Sequence, residues 1–217
     1  MARPLVLAHR GVHTVHPENS LDAFRAAFAS DADGIECDVQ KTKEGVYVIV
    51  HDPPSADNPA QPARLSVMLA SLPAGAFLNL ELKSDTLGTA DCAEIFEALR
   101  ARANPGPLLV SSFEPRLLAY FKARGVPIGL LIGEEAADLG MVGMAREIIR
   151  LKPDYLNLPI LMFEILGRRR GYLLAAFFKI LGFSLAFWTV KKEEVRLVLR
   201  LARIIITDDV RGVRERL

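Results

Sequence analysis

Residues 32–52 read ADGIECDVQKTKEGVYVIVHD. Two apolar runs, GIECDV (34–39) and VYVIVH (46–51), are separated only by QKTKEG, where Glu44-Gly45 suits a tight turn. The stretch therefore predicts a strand and a returning antiparallel arm. With a two-residue turn, Asp38 stands opposite His51 and Gln40 opposite Ile49. Within the first strand Glu36 and Asp38 point to one side and Cys37 to the other. Charge inside an otherwise buried strand costs free energy unless something offsets it, so Glu36 and Asp38 mark a special place. Cys37, on the opposite side, reads as a small packing residue facing helices.

Outward from this hairpin, short apolar runs alternate with segments of helical period along the chain. The other strand-like runs are 5–9, 78–83, 108–113, 127–132, 155–160, 185–190 and 203–208. The first helix is announced by PENS (17–20), after which Leu21, Phe24 and Phe28 share a face. Further helical patterns fall at TADCAEIFEALRARA, EPRLLAYFKARG, GMVGMAREIIRL, GYLLAAFFKILG and KKEEVRLVLRLA. Such alternation means parallel strands joined by crossover helices. Counting the returning arm as an appendage leaves eight strands, which predicts a single (β/α)8 barrel over residues 1–217. It would be trimmed, since about 250 residues is typical and roughly 200 is near the lower limit. An open doubly wound sheet is the alternative, but no glycine-rich phosphate loop supports it. There is no internal repeat, linker or sizeable insertion domain.

Composition narrows the function classes. Lys and Arg number 27 against 26 Asp and Glu, a net charge of +1, which argues against nucleic acid as a partner. A 51% hydrophobic content excludes a disordered chain. Two cysteines, Cys37 and Cys92, make no disulfide framework and no zinc site. MARPLVLAHRG reads as a first strand rather than a signal peptide, so a cytoplasmic protein is expected. Residues 171–190, GYLLAAFFKILGFSLAFWTV, are long enough to span a bilayer but carry Lys179 near their middle. A charge there costs roughly 2.5–3.5 kcal/mol, and Gly182 reads as a helix stop. A buried helix followed by a buried strand is the better reading. Peripheral membrane contact through Arg168, Arg169 and Arg170 with Phe177 and Phe178 is the milder alternative.

The polar exceptions in the strands fall at their ends: His9 and Arg10, Glu36 and Asp38, His51 and Asp52, Glu81 and Lys83, Ser111 and Ser112. In a parallel barrel all C-terminal strand ends gather on one face, where such enzymes place their chemistry. Glu36, Asp38 and Glu81 would share that mouth. A hard divalent cation, Mg2+ or Ca2+, resolves their mutual repulsion; a salt-bridge network with Arg10 and Lys83 is the bland alternative. His9 and His51 are suited to remove and donate a proton. Arg10 and Lys83 are suited to an anionic ligand, Arg10 to bidentate phosphate contact. Metal, acid/base pair and cations together read as phosphoryl chemistry.

HRG (9–11), PENS (17–20), the block at 32–52 and LNLELK (78–83) resemble the glycerophosphodiester phosphodiesterases. Weaker echoes follow in VSSFEPRLL, AFWTV and IIITD. The resemblance implies a (β/α)8 barrel that hydrolyses glycerophosphodiesters to an alcohol and glycerol 3-phosphate. It implies His9 and His51 as the acid/base pair, Glu36, Asp38 and Glu81 as metal ligands, and Arg10 and Lys83 on phosphate. In this family the free glycerol hydroxyl is thought to attack phosphorus, giving a cyclic phosphate that water opens. Asn19 is either a residue of the substrate rim or a helix N-cap. Phe113 and Trp188 are either rim residues or core aromatics, and His13 and His16 are loop residues. The chain departs from many members in lacking a sizeable insertion after HD, since 28 residues separate Asp52 from Glu81 and PPSADNPAQPA reads as a short loop. Such an open site would admit bulky diesters, including lysophospholipids, or bind the usual small ones poorly. Competing readings are a lysophospholipase D-like or cyclic-phosphate-forming enzyme, a Schiff-base aldolase using Lys83, and a barrel that binds metal and phosphate without turnover.

Overall fold

The computed structural model describes residues 3–54, 62–133 and 135–217. Eight parallel strands close on themselves: β1 (Leu5–His9), β2 (Gly34–Lys41), β5 (Phe77–Leu82), β6 (Leu108–Ser112), β7 (Ile128–Leu131), β8 (Tyr155–Pro159), β9 (Ser184–Trp188) and β10 (Ile204–Thr207). β1 pairs with both β2 and β10, which is the closure that separates a barrel from an open doubly wound sheet. Two short antiparallel strands, β3 (Tyr47–Ile49) and β4 (Ala63–Arg64), extend from the edge of β2. The fold is a (β/α)8 barrel with the hairpin arm where the sequence places it.

The arm's register differs from the expected one. Val39 pairs with Ile49 and Gln40 with Val48, so Val50, not His51, stands beside Asp38. The turn holds three residues, Lys43 to Gly45, between Thr42 and Val46, whose backbones are hydrogen bonded. Gly45 takes φ +84°, a left-handed conformation that costs glycine little. That extra residue shifts the pairing by one. The expected Pro-rich loop falls largely on residues 55–61, outside the described residues; the chain then continues through β4 into α2 (Leu65–Ser71).

Helices clothe the barrel: α1 (Leu21–Ala29), α3 (Asp91–Arg100), α4 (Pro115–Lys122), α5 (Glu135–Leu151, kinked at Gly140), α6 (Met162–Ile165), α7 (Arg168–Ile180), α8 (Val195–Val198) and α9 (Val210–Arg214). α1 starts where Ser20 caps it, its hydroxyl oxygen accepting from the Ala23 amide. The strands divide their side chains by parity. Val6, Ile35, Cys37, Leu80, Val110, Leu156 and Phe187 face outward into the main core with the helices. Leu7, Phe77, Leu109, Ala186, Ile204 and Ile206 form a small apolar plug inside the barrel. Cys37 thus packs toward the helices, and the inner positions above the plug are left for polar groups.

Among the described residues no helix is long and apolar enough to cross a membrane. The apolar stretch 171–190 resolves into most of α7, a stop at Gly182, and β9. One part of that expectation needs correction: α7 is not a buried helix. Only Gly171 and Ala175 are fully covered, and Phe178 turns inward against Phe183 while Phe177 points to solvent.

Candidate active site

The site is assembled at the C-terminal ends of β1, β2 and β5. Strand parity aims Glu36, Asp38 and Glu81 at the same space, and adjacency of β2 and β5 puts Asp38 directly beside Glu81. One carboxylate oxygen from each of the three lies within 4.8 Å of the others. All three are buried; Asp38 is 1% exposed. Burial, then Asp38 and Glu81, push the Glu36 carboxyl well above the ordinary range. Burial and Asp38 likewise raise Glu81, to about 7, against the lowering pull of Lys83. Glu36, Asp38 and Glu81 therefore form a nest of carboxyls that electrostatics alone does not favour.

Two cations stand over this nest. The Lys83 ammonium lies 2.9 Å from Glu81 Oε1 and 3.5 Å from Asp38 Oδ1. Burial pulls its pKa down, but Glu81 and Asp38 outweigh that and raise it. A Schiff-base lysine needs a free neutral amine, so the geometry leaves the aldolase alternative without support. Arg10 places Nε 3.3 Å from Asp38 Oδ2 and donates from Nη1 to Glu18. Its backbone sits at φ +53°, and its amide donates to both the carbonyl and the carboxylate of Glu36. Gly11 must follow: it has φ +82°, and a Cβ there would sit 2.7 Å from the Ala23 carbonyl carbon.

Asn19 belongs neither to the open rim nor to the helix cap. It is buried at φ +57°, its Nδ2 donates to Asp38 Oδ2 at 2.9 Å, and its Oδ1 accepts from the Asp38 amide. Ser20 is the cap, and Asn19 fixes the orientation of Asp38. Two left-handed non-glycine residues within one loop, Arg10 and Asn19, joined by Asn19 N–H to Arg10 C=O, cost about 1–2 kcal/mol each. Strain of this kind persists where surrounding contacts impose it.

His9 ends β1 beside Glu36, with Nε2 4.0 Å from its Oε2. Its Nδ1 lies 2.7 Å from Asp208 Oδ1. An ionised carboxylate only accepts, so this bond places the proton on Nδ1 and leaves Nε2 with its lone pair. His13 Nε2 reaches the same oxygen at 3.2 Å. Burial would raise Asp208, but its bonds to His9 and His13 outweigh that and lower it. Asp208 and the side-chain role of His13 are not among the features that the sequence singles out. Asp208 carried a usable signal, since it is a charge closing a strand run. His13 carried none, because no periodicity governs its loop.

His51 is reached through the hairpin arm. Val50 N–H donates to Asp38 C=O, Gln40 Nε2 donates to His51 C=O at 2.6 Å, and His51 Nδ1 lies 2.9 Å from Asp52 Oδ1. These bonds tie its backbone to β2 next to the carboxylates. Phe113 and Trp188 meet edge to face at 6.1 Å, and Trp188 Nε1 donates to Asn157 C=O. Below Glu81, Ser111 donates to Asn79 inside the barrel, while Ser112 donates to Leu82 C=O. A cavity of about 370 Å3 opens from Glu81 and Lys83 past Phe113 toward Arg116 and Arg150.

A sequence profile of the glycerophosphoryl diester phosphodiesterase family matches residues 9–65, the segment that holds His9, Arg10, Glu36, Asp38 and His51. Over that segment the chain is similar to the family. It is 49% identical over 49 residues, 23% of its length, to the probable glycerophosphodiester phosphodiesterase 1 of Mycobacterium tuberculosis. That match spans 18% of the relative. Likeness of fold runs end to end. A glycerophosphodiester phosphodiesterase from Thermotoga maritima superposes with a TM-score of 0.80, covering 99% of both chains at 24% identity. An Oleispira antarctica phosphodiesterase in complex with its product sn-glycerol-3-phosphate gives 0.81, covering 99% of this chain and 96% of that one at 21% identity. The sequence match is therefore confined to the first quarter or so of the chain, which carries Glu36 and Asp38 but not Glu81, while the rest of the barrel is shared as shape.

Proposed function

We propose that the protein hydrolyses glycerophosphodiesters to glycerol 3-phosphate and an alcohol, with a divalent ion held by Glu36, Asp38 and Glu81. The observation that carries the reading is the buried three-carboxylate nest set beside His9, whose ring Asp208 orients, in a chain whose residues 9–65 match this family's profile. The donor set fits such an ion: three hard carboxylate oxygens on rigid strand ends suit Mg2+ or Ca2+, and burial with mutual repulsion raises two of the carboxyls above the ordinary range, a cost that a bound cation offsets. Bound there, the ion would stabilise charge on the phosphoryl oxygens.

The chain's own residues supply the rest. Arg10 and Lys83 neutralise the phosphodiester anion at the mouth. His9 Nε2, which keeps its lone pair because Asp208 holds Nδ1–H, takes the proton of the free glycerol hydroxyl as that oxygen bonds to phosphorus. His51 gives a proton to the departing alcohol as its bond to phosphorus breaks. Water then opens the cyclic phosphate with the two roles exchanged. Phe113 and Trp188 form an aromatic wall for the glycerol or the leaving group.

The test is to incubate EDTA-treated protein with glycerophosphocholine, and separately with a lysophospholipid, adding back Mg2+ or Ca2+. Metal-dependent release of choline and glycerol 3-phosphate is expected. Cleavage of the lysophospholipid alone would move the substrate to lipids. Binding without turnover under either metal would leave the non-catalytic reading.

A further inference from the structure

We propose that the outer face of α7 docks the protein on an anionic lipid bilayer, with the arginines of its first turn in the headgroup layer. Leu173 is 60% exposed, Phe177 53% and Ile180 83%, and Leu174 and Leu181 beside them are open as well. These positions lie on one side of the helix, opposite Gly171 and Ala175, which face the barrel. The stripe runs the length of a 13-residue helix, about 20 Å. Such a patch on a barrel exterior calls for an occupant.

Charge identifies the occupant. Arg168, Arg169 and Arg170 fill the first helical turn and are all exposed. Helix stability favours acids there, because the unpaired amides make that end positive. α7 has no acid in its first turn and no side-chain cap, so its arginines work against the helix they begin. From Leu161 to Leu181 the chain carries four cations, Arg168, Arg169, Arg170 and Lys179, against the single anion Glu164. A surface that is apolar along one line and cationic at its head matches anionic lipid, in which the helix lies along the interface.

Topology orients the contact. α7 follows β8 through α6, whose Ile165 is 73% exposed, so the arginines sit at the mouth end of the barrel and Ile180 at the far end. Ile160, at the end of β8, donates its amide to Trp188 C=O, linking this rim to the candidate active site. The docked barrel would lie on its side with that rim against the headgroups.

The full chain is sedimented with vesicles of phosphatidylcholine alone and of phosphatidylcholine with 30% phosphatidylglycerol, an assay that involves no turnover and does not depend on the proposed activity. Binding is expected to the anionic vesicles only and to weaken with salt. The triple variant Arg168→Gln, Arg169→Gln, Arg170→Gln should partition about 100-fold less, at about a factor of five per arginine. Phe177→Asp with Ile180→Asp, which keeps the arginines and the site but removes apolar area and adds two anions to the face, should bind at least about tenfold less. Equal binding to both vesicle types, no binding, or variants that bind like the parent would overturn the proposal. So would a concentration-dependent dimer, seen by light scattering, that Phe177→Asp with Ile180→Asp dissolves, since a second copy would then cover the face.

Discussion

The quadrant of the barrel made by β1, β2 and β5 buries three carboxylates, whereas the flank made by α6 and α7 leaves a line of leucine, phenylalanine and isoleucine in water. Both depart from the usual partition of charge and oil, and the two departures differ in cost. Carboxylates held within 4.8 Å of one another raise each other's pKa and need counter-charge, so the surrounding loop is drawn into support, even to left-handed backbone at Arg10 and Asn19. An exposed apolar side chain on a helix costs the folded state almost nothing, because it is equally exposed on unfolding. The first region is therefore held by many contacts and the second by few. Substitutions should separate them accordingly.

The largest effect is expected on turnover. His9→Ala and His51→Ala should each lower the rate of glycerol 3-phosphate release at least about 10²-fold, with thermal unfolding unchanged. A folded and fully active His51→Ala protein would remove the two-histidine mechanism. pH should produce the next effect. Glu81 has a folded pKa of about 7 against an ordinary 4.5, so between those values the folded state holds a proton that the unfolded chain has released. Stability of the metal-free protein then falls as pH rises from about 4.5 to about 7, by an amount on the order of a few kcal/mol. Denaturant titrations in EDTA at pH 5 and pH 7.5 would show it, and greater stability at the higher pH would contradict it. The smallest effect belongs to the other region. Ile180→Asp should shift stability by no more than about 0.5 kcal/mol, whereas Ala175→Asp, on the covered side of the same helix, should cost about 3 kcal/mol or more by burying an unpaired charge. Equal melting temperatures for the two variants would mean that α7 is not seated as described.

These contrasts also explain what could be read from the chain beforehand. Strand parity with charges at strand ends is a local signal, and it was enough to gather Glu36, Asp38, Glu81, His9, Arg10 and Lys83 at one mouth. The same rule applied to IIITD would have reached Asp208. The hairpin register differs by one from the sequence expectation because Glu44-Gly45 fits both a two-residue and a three-residue turn, and only the backbone at Gly45 separates them. Asn19 was hidden by its neighbour Ser20: both are good capping residues, and nothing local says which one turns inward. α7 is illegible in the sequence for a different reason. A helix apolar on every side does not announce which face lacks a neighbour, and that depends on where α6, α8 and β9 are placed by the rest of the fold.

The central claim is that Glu36, Asp38 and Glu81 are gathered for a divalent ion rather than for Arg10 and Lys83. Titration of Mg2+ and of Ca2+ into EDTA-treated protein by calorimetry, with Glu36→Gln alongside, tests it most directly. The account predicts one site per chain, a metal-dependent rise in melting temperature of about 5–10 °C at a hundredfold excess over Kd, and loss of both in the variant while its metal-free fold persists. No binding of either ion, or an isotherm that Glu36→Gln leaves unchanged, would return the three carboxylates to a salt-bridge network.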